Sequence, residues 1–122
     1  MALTGCNKDA EVNAFITENR AVIDEIVKKV DANPSEAGVD EAQKAFDAKK
    51  AALKEKWDAI KTARGAQVST EVQNKFNTEV LADMKKLTDV QQKHSAKLSA
   101  NGGAGRQKLL KLVQAYADVI KM

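Results

Sequence analysis

Residues 12–30 read VNAFITENRAVIDEIVKKV, and Val12, Ile16, Asn19, Ile23, Ile26 and Val30 fall at alternating steps of four and three. That spacing keeps one stripe of side chains on one side of an α-helix. Phe15, Val22 and Val27 widen the stripe into a face suited to a helical bundle rather than a two-stranded zipper. Asn19 is the one polar member, and it is expected at the wet edge of the stripe. The helix so predicted runs from about Lys8 to Ala32.

Outward from this stretch the same period recurs. Asn33-Pro34-Ser35-Glu36 ends the first helix and begins a second, with Asn33 as cap, Pro34 at the first helical position and Glu36 reaching back. So short a link makes the two helices antiparallel neighbours. The second helix is expected over about Ser35 to Ala63, with Val39, Ala42, Phe46, Leu53, Trp57 and Ile60 inward and Lys49 and Lys56 interrupting. Ala45, Ala52 and Ala59 recur every seven residues and offer a row for close approach by a neighbour. Lys44, Lys50, Lys54 and Lys61 add to the basic character, read as a solvated face with acidic partners such as Glu55 and Asp58.

Gly65 suits a helix C-terminus, and Ser69 or Thr70 opens a third helix. That helix is expected to run unbroken to about Leu98 through Val72, Phe76, Val80, Met84, Leu87, Gln91 and His94. Ser99 to Gly105 is glycine-rich and lets the chain reverse. A fourth, shorter helix from about Arg106 to Lys121 carries Leu109, Leu110, Leu112, Val113, Tyr116, Val119 and Ile120. So apolar a helix is expected to pack into the groove left by the other three. The fold class is therefore all-α: an antiparallel helical bundle of three long helices and a shorter C-terminal fourth, forming one domain over residues 7–122.

Composition agrees. Lysine, alanine and acidic residues dominate, with one proline and few aromatics among 122 residues. No apolar run is long enough to cross a bilayer. The net charge of +3 is uneven: residues 1–40 carry four basic and eight acidic side chains, the rest sixteen and nine. Arginine forks and stacking aromatics, which nucleic-acid readers use, are sparse, so no nucleic acid is expected as partner. A single cysteine excludes an internal disulfide and a multi-thiolate metal site. His94, the one histidine, lacks the convergent ligands a metal needs, and Met84 on the same helix cannot face it across a haem. No catalytic constellation, cofactor site or metal site is expected, and no enzyme.

Leu3-Thr4-Gly5-Cys6 supplies what the helices do not. An aliphatic residue, two small residues and a cysteine resemble the lipobox of bacterial lipoproteins. The resemblance implies a diacylglycerol on the Cys6 sulfur, cleavage just before Cys6, and acylation of the freed amine. Residues 1–6 then form a signal remnant and anchor site, and Met1-Ala2 reads as a start replacing the charged and apolar signal regions. Two or three acyl chains make such anchoring stable. Asn7 follows the cysteine where aspartate usually retains enteric-type lipoproteins at the inner membrane, so the resemblance points to the outer membrane, facing the periplasm.

Leu87-Thr88-Asp89-Val90-Gln91 also matches the LTxxQ pattern of helical envelope chaperones, a family that carries the motif twice where this chain has it once. The leading expectation is a lipid-anchored, non-enzymatic envelope bundle acting through protein contacts near the membrane. The alternatives are a periplasmic holdase-type chaperone, or a bundle binding a small apolar ligand in a cavity near Trp57 and Tyr116.

Overall fold

The computed structural model describes residues 8–61 and 68–120, which are helical nearly throughout. The elements are α1 (Asp9–Ala32), α2 (Glu36–Ile60), α3 (Thr70–Lys93), the single turn α4 (Ser95–Leu98), a 3-10 turn (Asn101–Gly103) and α5 (Ala104–Val119). The all-α bundle read from the periodicity is the architecture observed.

α1 is the organising helix. It buries Val12, Phe15, Ile16, Asn19, Val22, Ile23, Ile26 and Val30, with Val27 of the expected face only partly buried at its side. Asp9 and Glu11 in its first turn complement the positive end of the helix dipole. Asn19 is fully buried rather than at the edge. The reason lies on α5, whose Tyr116 hydroxyl donates to Asn19 Oδ1.

Between α1 and α2 the cap falls two residues later than expected. Ser35, not Asn33, is the N-cap, its Oγ accepting from the Gly38 amide at 3.5 Å and its hydroxyl donating to Asn33 Oδ1 at 2.7 Å. Pro34 accordingly lies ahead of the helix. The Ser35 amide donates to Asn33 O at 2.8 Å, folding the link tightly against the first turn of α2. A Cβ on Gly38 would stand 1.6 Å from Asn33 O, so only glycine fits there.

α2 buries Val39, Ala42, Phe46, Leu53, Trp57 and Ile60 as expected, with Lys49 and Lys56 half-buried. The alanine row is covered only at its start: Ala45 is half-buried beside a cleft shared with Glu25 and Lys29 of α1, while Ala52 and Ala59 are exposed.

On α3, Ser69 is the N-cap, accepting from the Val72 amide at 3.2 Å, while the Gln73 side chain donates to Val68 O at 2.9 Å. Its buried residues are Val72, Val80, Asp83, Leu87 and Val90. The inward position after Val80 is thus Asp83, with Met84 only partly buried at the side. The helix also stops short of the expected end. His94 leaves helical geometry (φ −111°, ψ 18°) as its ring turns toward Asp31 on α1, and the separate turn α4 then buries Leu98.

Gly102 and Gly103 both take positive φ (85° and 80°) and reverse the chain into α5. α5 begins two residues earlier than expected. Gly105 packs so closely that a Cβ would lie 3.1 Å from the Glu36 amide nitrogen and 3.3 Å from Leu98.

α1 packs against α2 and α3, and α5 lies mainly along α2 while touching α3 lightly. The expected seat of the last helix among all three longer ones is therefore met only in part. α1 and α3 run parallel, which the ties between them show. Lys75 to Asn13 and Lys86 to Asp24 are separated by 62 positions, and Arg20 to Asp83 and Asp31 to His94 by 63. α5 starts beside the first turn of α2 and, at about 24 Å against about 36 Å for α1, stops about 12 Å short of the end where α1 begins.

Candidate functional site

Cys6 and the rest of Leu3-Thr4-Gly5-Cys6 lie outside the described residues. The end of the bundle from which they depart is described. There the Ser69 amide donates to Asp9 Oδ1 at 2.8 Å and Lys75 Nζ to Asn13 Oδ1 at 3.1 Å, holding the starts of α1 and α3 side by side.

Behind these ties sit three aromatic rings. Phe15 lies 5.4 Å from Trp57 and 5.8 Å from Phe76, centroid to centroid, and Trp57 stacks on Phe76 at 6.5 Å with 20° between planes. Such separations are those of favourable aromatic pairs. Trp57 and Phe76 border an open cleft of about 250 Å³, with Val12, Ile60 and Val68 as further apolar lining and Lys61, Gln73 and Asn77 as polar lining; Phe15 lies fully buried behind them. Trp57 is 9 % exposed there. At Tyr116 the interior is filled instead, the ring being buried and its hydroxyl bonded.

A polar junction crosses the middle of the bundle. Asn19 (α1), Asp83 (α3) and Tyr116 (α5) are all buried. Asp83 Oδ1 accepts from Arg20 Nε at 3.4 Å and lies 3.2 Å from Lys86 Nζ. Arg20 also pairs with Glu79, and Lys86 with Asp24 at 2.9 Å. The bond to Glu79 and the charge of Asp83 raise the Arg20 pKa, and the bond to Asp24, joined by Asp83, raises that of Lys86. Burial pushes the Tyr116 phenol far up, so it stays a neutral donor. Asn19 Nδ2 and Asp83 Oδ2 have no hydrogen-bond partner among the described residues. Sequence reasoning missed Asp83; its spacing of three after Val80 and four before Leu87 was the available signal.

His94 is held by one carboxylate. Its Nε2 lies 2.7 Å from Asp31 Oδ1, and Lys93 Nζ approaches the same oxygen at 3.5 Å. The hydrogen bond with His94 holds the Asp31 carboxyl below its ordinary range. Among the described residues no group of three or more His, Cys, Asp or Glu side chains could hold a metal ion.

The lysines of α2 are partly neutralised within the helix. Lys54 and Lys61 reach Asp58 at 2.9 and 3.1 Å, which lowers its carboxyl pKa, and Lys44 reaches Glu41 at 3.4 Å. The LTxxQ stretch behaves as ordinary helix: Leu87 and Val90 are buried and Asp89 pairs with Lys85 at 3.1 Å. Among the described residues, Leu81 and Leu110 are the exposed large apolar side chains, 63 % and 50 % accessible. Leu110 borders two further clefts, one shared with Gln91, Gln92 and Ser95 and one with Ser99, Gly102 and Gly103. Both lie at the end of the bundle opposite the start of α1.

No helix among the described residues is long and apolar enough to cross a membrane. Compared with known proteins, the chain matches no family model, no curated protein and no solved structure.

Proposed function

We propose that this chain is a lipid-anchored, non-enzymatic helical bundle of the bacterial envelope, working through protein contacts close to the outer membrane on its periplasmic side. The observation that carries the reading is the placement of Cys6, the one cysteine, directly behind Leu3-Thr4-Gly5 and three positions ahead of the first helical residue, Asp9. A lipid on that sulfur is separated from α1 by Asn7 and Lys8, a tether of about 10 Å at most. The bundle then rides at the level of the head groups, with the α1 start toward the lipid and the Leu110 clefts turned away, about 36 Å off along α1. Anchor and contact surface at opposite ends suit an adaptor.

The test is expression of the exported precursor in its host with labelled palmitate. Label on the protein that disappears in Cys6→Ser is the expected result. Unlabelled protein recovered free of the membrane fraction would end the proposal. The apolar-ligand reading draws support from the cleft beside Trp57, which has a more specific use.

A further inference from the structure

Among the described residues, the cleft beside Trp57 lies beyond the end of α5. Along most of α2 the inward face is shared by α1 and α5, but over the last turns of α2 the described part of α5 has ended. Val12, Trp57 and Ile60, core residues 4–9 % exposed, and the partly buried Val68 and Phe76 border an open cleft there. Burying such side chains normally stabilises a bundle, so leaving a notch among them favours something apolar from outside.

Size and place narrow the guest. At about 250 Å³ the cleft exceeds the engineered cavity of roughly 150 Å³ that accepts benzene, and it is too small for a whole diacylglycerol. It suits a stretch of one hydrocarbon chain. The opening is bounded by the first turn of α1, the turn that follows Cys6 in the sequence. Two Cα–Cα steps of about 3.8 Å separate Cys6 from Lys8, and one helical turn of about 5.4 Å brings the chain to Val12. An acyl chain covers about half of a hydrocarbon core roughly 30 Å thick. A tail on the Cys6 sulfur therefore reaches the rings of Phe76 and Trp57 without any movement of the bundle. Gln73 and Asn77 at the rim leave the polar glyceryl end facing water.

We infer that this cleft shelters one acyl chain of the lipid carried by Cys6, in the same molecule, whenever the protein is away from a bilayer. The inference rests on the proposed anchor, and its test does not. Cys6 is the only cysteine and Trp57 the only tryptophan. The purified, unlipidated chain can be alkylated at Cys6 with a long-chain alkyl maleimide, the thiolate sulfur bonding to one alkene carbon and a proton adding to the other to give a succinimide thioether. A second adduct carries the same chain with bromines at its middle, which quench tryptophan on contact.

Emission from Trp57 in the brominated adduct should fall by more than half relative to the plain one and stay unchanged on dilution. Asn77→Phe, which fills the rim from an exposed position, should restore the emission with helix content unaltered by circular dichroism. Equal emission from the two adducts would overturn the shelter, as would quenching that fades on dilution. Quenching without palmitate incorporation in the host would overturn the anchor and leave a tail-binding cleft. Incorporation without quenching would overturn the shelter and leave the anchor.

Discussion

The hydroxyl of Tyr116 donates to Oδ1 of Asn19, joining the last helix to the first across 97 positions of sequence in the middle of the core. Each group is buried, so each depends on the other for a partner. Tyr116→Phe leaves the Asn19 carbonyl unpaired and should cost about 1–3 kcal/mol. Asn19→Leu combined with Tyr116→Phe removes both polar groups, including the unpaired Asn19 Nδ2, and should be more stable than Tyr116→Phe alone. Urea unfolding of the two variants and the parent measures the difference.

Gly38 is the position where the chain tolerates least. A methyl there would meet Asn33 O at 1.6 Å, which forces the link before α2 to open. Gly38→Ala should cost at least about 2 kcal/mol, within the usual range for overpacking. At Gly102, where a Cβ meets nothing within 4 Å but φ is 85°, alanine should cost only the left-handed backbone penalty of about 1–2 kcal/mol. Thermal unfolding should rank them in that order.

Asp31 gives the fold an acid-sensitive joint. Its carboxyl titrates below the ordinary 3.8, because of the hydrogen bond with His94. A depressed carboxylate contributes stability that is present above its unfolded value and lost as pH falls through the folded one. Unfolding temperature should therefore drop below pH 3.8, and Asp31→Asn should lessen that drop while lowering stability near neutrality. Since Asp31 is 40 % exposed, added salt should weaken the effect.

Two adjacent leucines on α5 should respond in opposite ways. Leu109 is 1 % exposed and Leu110 is 50 % exposed. Leu109→Ala should cost about 2–5 kcal/mol by opening the core, and Leu110→Ala should stay within about 0.5 kcal/mol. Denaturant midpoints compared at constant slope decide this. A stable Leu110 variant then serves for probing partner contact without disturbing the fold.

Much of this architecture was legible in the residues themselves. The stripe of α1 and the inner face of α2 follow from periodicity, which is local and needs no partner. Asn19 misled because its partner lies on another helix, and a polar residue in a stripe looks wet until that partner is known. Asp83 was overlooked in favour of its apolar neighbour Met84, though the charge is compensated by Arg20 and Lys86 from two helices. The break at His94 likewise depends on Asp31, 63 positions away. Of the cleft, the ingredients could be read: a short last helix, and Trp57 and Phe76 near helix ends. Which end the short helix leaves uncovered is a matter of packing between helices, and no single stretch encodes it.

The near-constant separation of 62 or 63 between partners on α1 and α3 has a consequence for how such a molecule can change. One residue inserted in the middle of either helix would swing every later side chain about 100° around its axis. Arginine, lysine and histidine beyond that point would then face away from their carboxylates, all at once. The two rods are geared tooth to tooth, and they can be lengthened only in step with one another.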